Sequence, residues 1–128
     1  MRIGFFSPQW PVEATHNGIV TYVDSITRAL ESMGHECVVI TSTDLTEDGE
    51  SRAIELAPAQ SSFASKFIDK MPIGADRHFE RKAAQFAGRI AAASKTAKAT
   101  GPIDIFEIEE SFGRSRALAK MLGAPVAV

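Results

Sequence analysis

The sequence predicts one α/β domain over residues 1–128, with an open, mostly parallel sheet and helices on both faces. Short apolar runs that end at turn residues predict buried strands. Segments with apolar residues at helical spacing lie between these runs and predict amphipathic helices. Strands that alternate with helices form right-handed βαβ units, and repeated units give a Rossmann-like sheet.

The first strand and the first helix have the clearest patterns. Residues 2–7 form an apolar run with two phenylalanines, which predicts a buried strand at the centre of the sheet. Residues 8–17 are expected to form a loop that two prolines stiffen. A helix is predicted at about 17–33 from the helical spacing of its main apolar residues, which are Ile19, Val23, Ile26 and Leu30.

Turn chemistry marks both ends of this helix. Thr15 or Asn17 is a suitable N-cap residue. Gly34 stands where a helix commonly ends in a left-handed glycine. The β-branched run at 37–41 then predicts the second strand, which completes a βαβ unit.

The middle of the chain is less regular. Residues 43–51 are polar and acidic and predict a solvated turn, and weak alternation at 52–57 predicts a third strand. Residues 58–74 show no clear period, so a long loop is expected there. A second long helix is predicted from residue 76 to about residue 99, with Asp76 as its cap. Its apolar stripe consists of Phe79, Ala83, Phe86, Ile90 and Ala93.

The last third repeats the strand–helix alternation. The apolar run at 103–108 predicts a strand, and Ser111 or Gly113 is expected to open a third helix that ends at Gly123. The residues after Gly123 begin another buried strand, inside which the chain stops. We therefore expect this chain to be the incomplete front part of a longer protein.

Charge and composition exclude several function classes. The net charge of −2 gives no basic footprint for nucleic acid, and the cations of the second helix are expected to form a solvated face. The single cysteine, Cys37, excludes an intrachain disulfide or a Cys-based metal site. The start of the chain lacks a signal-peptide pattern, and no apolar run approaches the roughly 20 residues that span a bilayer. We expect a soluble, cytoplasmic protein and leave binding of the full-length protein at a membrane surface open.

The candidate site is the loop that joins the first strand to the first helix. Ligands of open α/β sheets bind at carboxyl strand ends, beside helix N-termini. Gly18 either lets a ligand approach the backbone or serves a tight turn. His16 either contacts a ligand or packs the loop, and Trp10 either stacks on a sugar or covers the core.

Acidic residues follow the strand predicted at 103–108. By strand alternation, Glu107 and Glu109 point to the same side. Glu109 either accepts hydrogen bonds from a hydroxylated substrate or belongs to a solvated acidic loop before the next helix. The sequence contains no dinucleotide fingerprint, P-loop lysine motif, zinc-protease motif or nucleophile elbow. Its three histidines show no metal-ligand spacing.

These segments together resemble a known family. Residues 1–8, the Asn-Gly-Ile-Val-Thr-Tyr-Val run at 17–23 and the segment 30–41, with its Gly-His-Glu turn, look like the opening of family 4 retaining glycosyltransferases. Residues 103–110 and 123–128 resemble the next block of that family. The resemblance implies the GT-B architecture, in which two Rossmann-like domains face each other across a cleft. It also implies sugar transfer from a nucleotide-sugar donor, with retention and without a metal or further cofactor.

The resemblance also implies roles for particular residues. Gly18 matches the second glycine of the family's loop, which comes near the donor phosphates, and Asn17 stands where a first glycine is usual. Glu109 matches the acidic loop after the fourth strand. The nucleotide and the paired-glutamate motif belong to the family's C-terminal domain, which this sequence lacks. The implied substrate-binding residues are therefore Gly18, Asn17 and Glu109, to which the loop position adds His16 and Trp10.

Two functions remain open from the sequence. The first is the acceptor-side domain of a glycosyltransferase, inactive as this fragment alone. The second is a stand-alone, non-catalytic α/β module that binds a nucleotide or another ligand. The reading frame after Val128 discriminates between them, because a second α/β region with spaced glutamates is expected only for the glycosyltransferase.

Overall fold

The computed structural model describes residues 1–14, 17–42, 53–57, 75–97, 101–109 and 114–128. Within these ranges, five strands form one open, entirely parallel sheet. The strands are β1 (Arg2–Ser7), β2 (Glu36–Thr41), β3 (Ala53–Glu55), β4 (Ile105–Glu107) and β5 (Val126–Ala127). Their order is β3-β2-β1-β4-β5, which places the first strand in the centre as predicted. The predicted α/β class with a Rossmann-like sheet is thereby confirmed.

Among the described residues, three α-helices and one short 3₁₀ helix lie between the strands. The 3₁₀ helix is Val12–Ala14, and the α-helices are α1 (Gly18–Ser32), α2 (Ala75–Ala97) and α3 (Ser115–Leu122). Asn17 is the N-cap of α1, and α1 and α3 are followed by glycines with positive φ, Gly34 and Gly123, as predicted. No helix among the described residues combines the length and the apolarity that crossing a membrane requires.

Three predictions of the second half need correction or lie outside the described ranges. α3 begins at Ser115 rather than at Ser111 or Gly113. Its N-cap residue is Arg114, whose side chain makes no capping hydrogen bond. The prediction rested on capping residue types, which this helix does not use. The loop predicted at 58–74 and the capping side chain of Asp76 lie outside the described residues.

Helices lie on both faces of the sheet. Because neighbouring residues of β1 point to opposite sides, this strand contributes side chains to both faces. Phe5 packs with residues of α1, whereas Phe6 packs with residues of α2 and α3. The α1-side core consists of Ile3, Phe5, Trp10, Val20, Val23, Cys37 and Val39. The opposite core includes Phe6, Ile40, Leu56, Phe86, Ile90, Phe106, Ile108 and Leu118. The two cores together hold β1 and β4 in fixed positions under the candidate site.

Gly4 allows β1 and β4 to pack closely. The register pairs Gly4 with Phe106, whose ring lies over the glycine. A Cβ atom at position 4 would lie 2.5 Å from Cδ2 of Phe106, which is closer than two non-bonded carbon atoms can approach. This glycine is therefore required by packing, and its φ is not positive.

The apolar stripe predicted for α2 is buried except at its start. Ala83, Phe86, Ile90 and Ala93 belong to the core, but Phe79 is 55% exposed. Phe79 instead borders a surface cavity of about 350 Å³ between α2 and α3. Helical spacing predicts the face of a residue but not how far the neighbouring elements extend along the helix, so the exposure of Phe79 was not foreseeable.

Candidate functional site

A cavity of about 350 Å³ opens where β1 and β4 end. From β1 the sheet continues to β2 on one side and to β4 on the other, so the strand order reverses at this point. Open α/β sheets bind ligands at such a switch point, outside the carboxyl ends of the strands. The cavity is lined by Phe5, Phe6, Gly18, Ile19, Tyr22, Val23, Glu107, Ile108, Glu109 and Val128. The described part of this lining includes two of the predicted substrate-binding residues, Gly18 and Glu109.

The first turn of α1 forms one wall of this cavity. Asn17 has an extended backbone, with φ −133° and ψ 134°, and its Oδ1 accepts a hydrogen bond from the Ile19 N–H at 2.9 Å. The Asn17 side chain is therefore engaged in capping the helix, and it does not line the cavity. Its effect on a ligand would be indirect, because the cap fixes the direction of the first-turn N–H groups.

Gly18 is exposed and borders the cavity. A Cβ atom at this position would meet no other atom within 4 Å, and the φ of Gly18 is not positive. Neither packing among the described residues nor a positive φ therefore requires a glycine here, and the turn that precedes it at residues 15–16 lies outside the described residues. What the glycine does provide is open space between the helix N-terminus and the cavity.

Two carboxylates form the opposite wall. Glu107 and Glu109 both line the cavity. The hydroxyl of Tyr22 donates a hydrogen bond to Oε1 of Glu107 at 2.6 Å, and this bond joins α1 to the end of β4. Sequence reasoning missed Tyr22. The available signal was its spacing, because Tyr22 follows Gly18 by four residues and so lies on the same helix face.

The contact with Glu107 favours the protonated form of the Tyr22 phenol. The hydrogen bond to Glu107 is the largest cause that raises the pKa of Tyr22 above its ordinary value of 10.0. Partial burial of the phenol and the negative charge of Glu107 raise the pKa in the same direction. Near neutral pH, Tyr22 is therefore a hydrogen-bond donor inside the cavity.

The charge of the cavity wall is negative. Among the described lining residues there are two carboxylates and no lysine or arginine. The N-terminus of α1 favours an anion by about 0.3–1 kcal/mol, rising to about 2 kcal/mol in favourable geometry. The two described carboxylates oppose this effect, and they suit a ligand that donates hydrogen bonds.

The cation that precedes α3 contacts an aromatic ring of the core on the α2 side of the sheet. The Arg114 guanidinium stacks over the Phe86 ring, with 4.2 Å between its Cζ and the ring centroid. Phe86 in turn packs edge-to-face on Phe6 in the core on the α2 side of the sheet. Arg114 does not line the cavity, and its desolvation lowers the pKa of the guanidinium.

Trp10 stands apart from the lined cavity. Trp10 is 2% exposed and packs with Phe5 and Val20 in the α1-side core. Its burial supports the packing alternative and leaves no ring face for stacking on a sugar. His16 lies outside the described residues.

The described residues form no cluster of three or more His, Cys, Asp or Glu side chains that could hold a metal ion. Comparison with models of known protein families gives no match for the chain, and comparison with curated proteins gives none either. The resemblance to retaining glycosyltransferases therefore stays a prediction, and the cavity is the observation on which a functional proposal can rest.

Proposed function

We propose that this chain is the acceptor-side domain of a retaining glycosyltransferase of GT-B architecture. In this proposal, the full-length protein moves a sugar from a nucleotide-sugar donor to an acceptor hydroxyl. The observation that carries the proposal is the cavity at the carboxyl ends of β1 and β4, with Gly18 on one wall and two glutamates on the other. The nucleotide sugar is a substrate in this reaction, and no cofactor is invoked.

The composition of the cavity suits a sugar-like acceptor. Carboxylate oxygens of Glu107 and Glu109 accept hydrogen bonds from hydroxyl groups, and the lining contains apolar side chains such as Ile19 against which a ring can pack. Binding of the acceptor raises the rate of sugar transfer, because its hydroxyl is kept next to the anomeric carbon. In the transfer, the acceptor oxygen bonds to that carbon, the bond to the nucleoside diphosphate breaks, and the hydroxyl proton leaves with the diphosphate.

The proposal divides the work between two domains. By the resemblance, the nucleotide is assigned to a second Rossmann-like domain of the full-length protein, and the loop that contains Gly18 comes near the donor phosphates. Residues 1–128 alone are then expected to be inactive. The buried thiol of Cys37 fits a reducing compartment, and we place the protein in the cytoplasm on that basis.

The test is a transfer assay on the full-length protein with a panel of labelled nucleotide sugars and a mixture of hydroxylated acceptors. Wild-type protein is expected to form a labelled product with at least one donor. Gly18→Val is expected to lower that rate by about tenfold or more, because the new side chain enters the open space beside the helix N-terminus. Glu109→Ala should lower it by about threefold to tenfold through a lost hydrogen bond.

Glu55→Gln is the matched control, because it removes a charge at the end of β3, outside the cavity. Wild-type rates in both cavity variants would overturn the proposed site. Ligand binding without product for any donor would favour the alternative, a non-catalytic binding module.

A further inference from the structure

The Tyr22–Glu107 hydrogen bond connects two elements that enclose the cavity. Tyr22 comes from the second turn of α1, and Glu107 is the last residue of β4. The two residues are 85 positions apart, and both line the cavity. Any ligand in this cavity therefore meets a phenol and a carboxylate that are already held in a fixed relative position.

We propose that the Tyr22–Glu107 pair selects neutral polyhydroxylated acceptors and rejects anionic acceptors. The inference rests on the proposed function and deepens it, because it names the acceptor class as an uncharged sugar-like molecule rather than a sugar phosphate or sugar acid. Glu109 adds to the same negative wall, and the pair supplies its hydrogen-bonding geometry.

The hydrogen-bond inventory of the pair fits adjacent hydroxyl groups. One carboxylate oxygen of Glu107 accepts the Tyr22 proton, which leaves the second oxygen as an acceptor. The phenol oxygen keeps lone pairs of its own. Two neighbouring hydroxyls of a sugar ring can donate to these two atoms. A phosphate or carboxylate has no such protons to donate and adds like-charge repulsion.

The position of α1 does not depend on the pair. Val20 and Val23 bury the helix in the α1-side core, and Asn17 caps its start. Tyr22 itself is 52% exposed. A tyrosine that served only to attach the helix would therefore add little to contacts that already hold it, whereas its hydroxyl is well placed for a ligand.

The experiment compares two probes of the same size and different charge, methyl glucoside and glucuronate, on isotope-labelled protein. Binding is followed by NMR through the backbone amides of Gly18 and Tyr22, which border the cavity. Wild-type protein is expected to bind methyl glucoside about tenfold or more tightly than glucuronate because of like-charge repulsion. Glu107→Gln should reduce this ratio by about threefold or more. Tyr22→Phe should weaken methyl glucoside by about threefold while keeping the preference for the neutral probe.

Glu55→Gln again serves as the control for charge and should retain the wild-type ratio, because Glu55 lies outside the cavity. A second measurement avoids variants altogether: added salt should narrow the preference in wild-type protein, since screening weakens the repulsion. Equal binding of both probes, tighter binding of glucuronate, or no shift at Gly18 and Tyr22 with either probe would overturn the inference.

The two proposals fail separately. Sugar transfer without any preference for neutral acceptors would remove the role of the Tyr22–Glu107 pair and leave the proposed function standing. A clear preference for methyl glucoside in a full-length protein that transfers no sugar from any donor would remove the proposed function and leave the role of the Tyr22–Glu107 pair standing.

Discussion

At the amino end of the parallel sheet a charged side chain is paired, whereas at the carboxyl end charged side chains face a cavity. At the amino end, the Arg2 side chain is nearly buried, and its Nε lies 3.0 Å from Oε1 of Glu36. The same guanidinium donates to the Gly101 carbonyl, and the Arg2 backbone N–H donates to Asp104. At the carboxyl end, Glu107 and Glu109 face a cavity in which no described lining residue carries positive charge.

The charged groups at the amino end therefore stabilise the fold, whereas those at the carboxyl end are available to a ligand. Arg2 connects β1 with the starts of β2 and of the segment that leads into β4, so its contacts close the amino end of the sheet. A nearly buried charge must be paired to be tolerated. The carboxylates of the other end are solvated and remain free to accept hydrogen bonds, apart from the oxygen that Tyr22 engages.

The largest expected effect is a loss of stability of the whole sheet, which includes both of its ends. Gly4→Ala places a Cβ against the Phe106 ring in the middle of the sheet, and it should lower the free energy of unfolding by about 3 kcal/mol. Urea unfolding measures this change. Gly88→Ala is the control, because its Cβ would lie 3.9 Å from the nearest atom, Sδ of Met121, and alanine favours helix. Equal stability of the Gly4→Ala variant and the wild type would contradict the close packing of β1 on β4.

The second effect should be confined to the amino end. Arg2→Ala is expected to lower the free energy of unfolding by about 2 kcal/mol, because the nearly buried guanidinium loses its hydrogen bond to Gly101 and its ion pair with the exposed Glu36. Glu107→Ala should change it by less than about 0.5 kcal/mol, since the Tyr22 contact is exposed to solvent. Thermal or urea unfolding of the two variants side by side tests this asymmetry. Reversed sizes would show that the carboxyl-end pair holds the fold together.

A smaller effect concerns the protonation of Tyr22. Since Tyr22 is the only tyrosine of the chain, the near-ultraviolet absorbance of the phenolate reports this group alone. The pKa should lie above 10.0 in wild-type protein and fall towards that value in Glu107→Ala. Because the folded-state pKa is the higher one, the contribution of the pair to stability is present below about pH 10 and is lost as the pH rises through the folded-state value. An unchanged titration in the variant would show that the hydrogen bond is absent in solution.

Much of the fold, and part of the site, follow from local sequence patterns. Apolar runs and helical spacing predict the described strands and helices, and the position of Gly18 and Glu109 next to predicted strand ends agrees with their place in the cavity lining. Residue type could not decide whether Trp10 is buried or presented to a ligand, because an amphipathic ring suits both positions. The Tyr22–Glu107 contact joins residues 85 positions apart, and periodicity predicts which face a residue occupies but not its partner on another element.

The central claim is that the carboxyl-end cavity is kept open for a ligand, and Gly18→Val tests it most directly. Unfolding and ligand binding are measured on the same variant, with methyl glucoside as the probe. The account predicts a change of less than about 0.5 kcal/mol in the free energy of unfolding, since nothing lies within 4 Å of the added Cβ. It also predicts about tenfold weaker binding. Wild-type affinity in a fully folded Gly18→Val protein would contradict the claim.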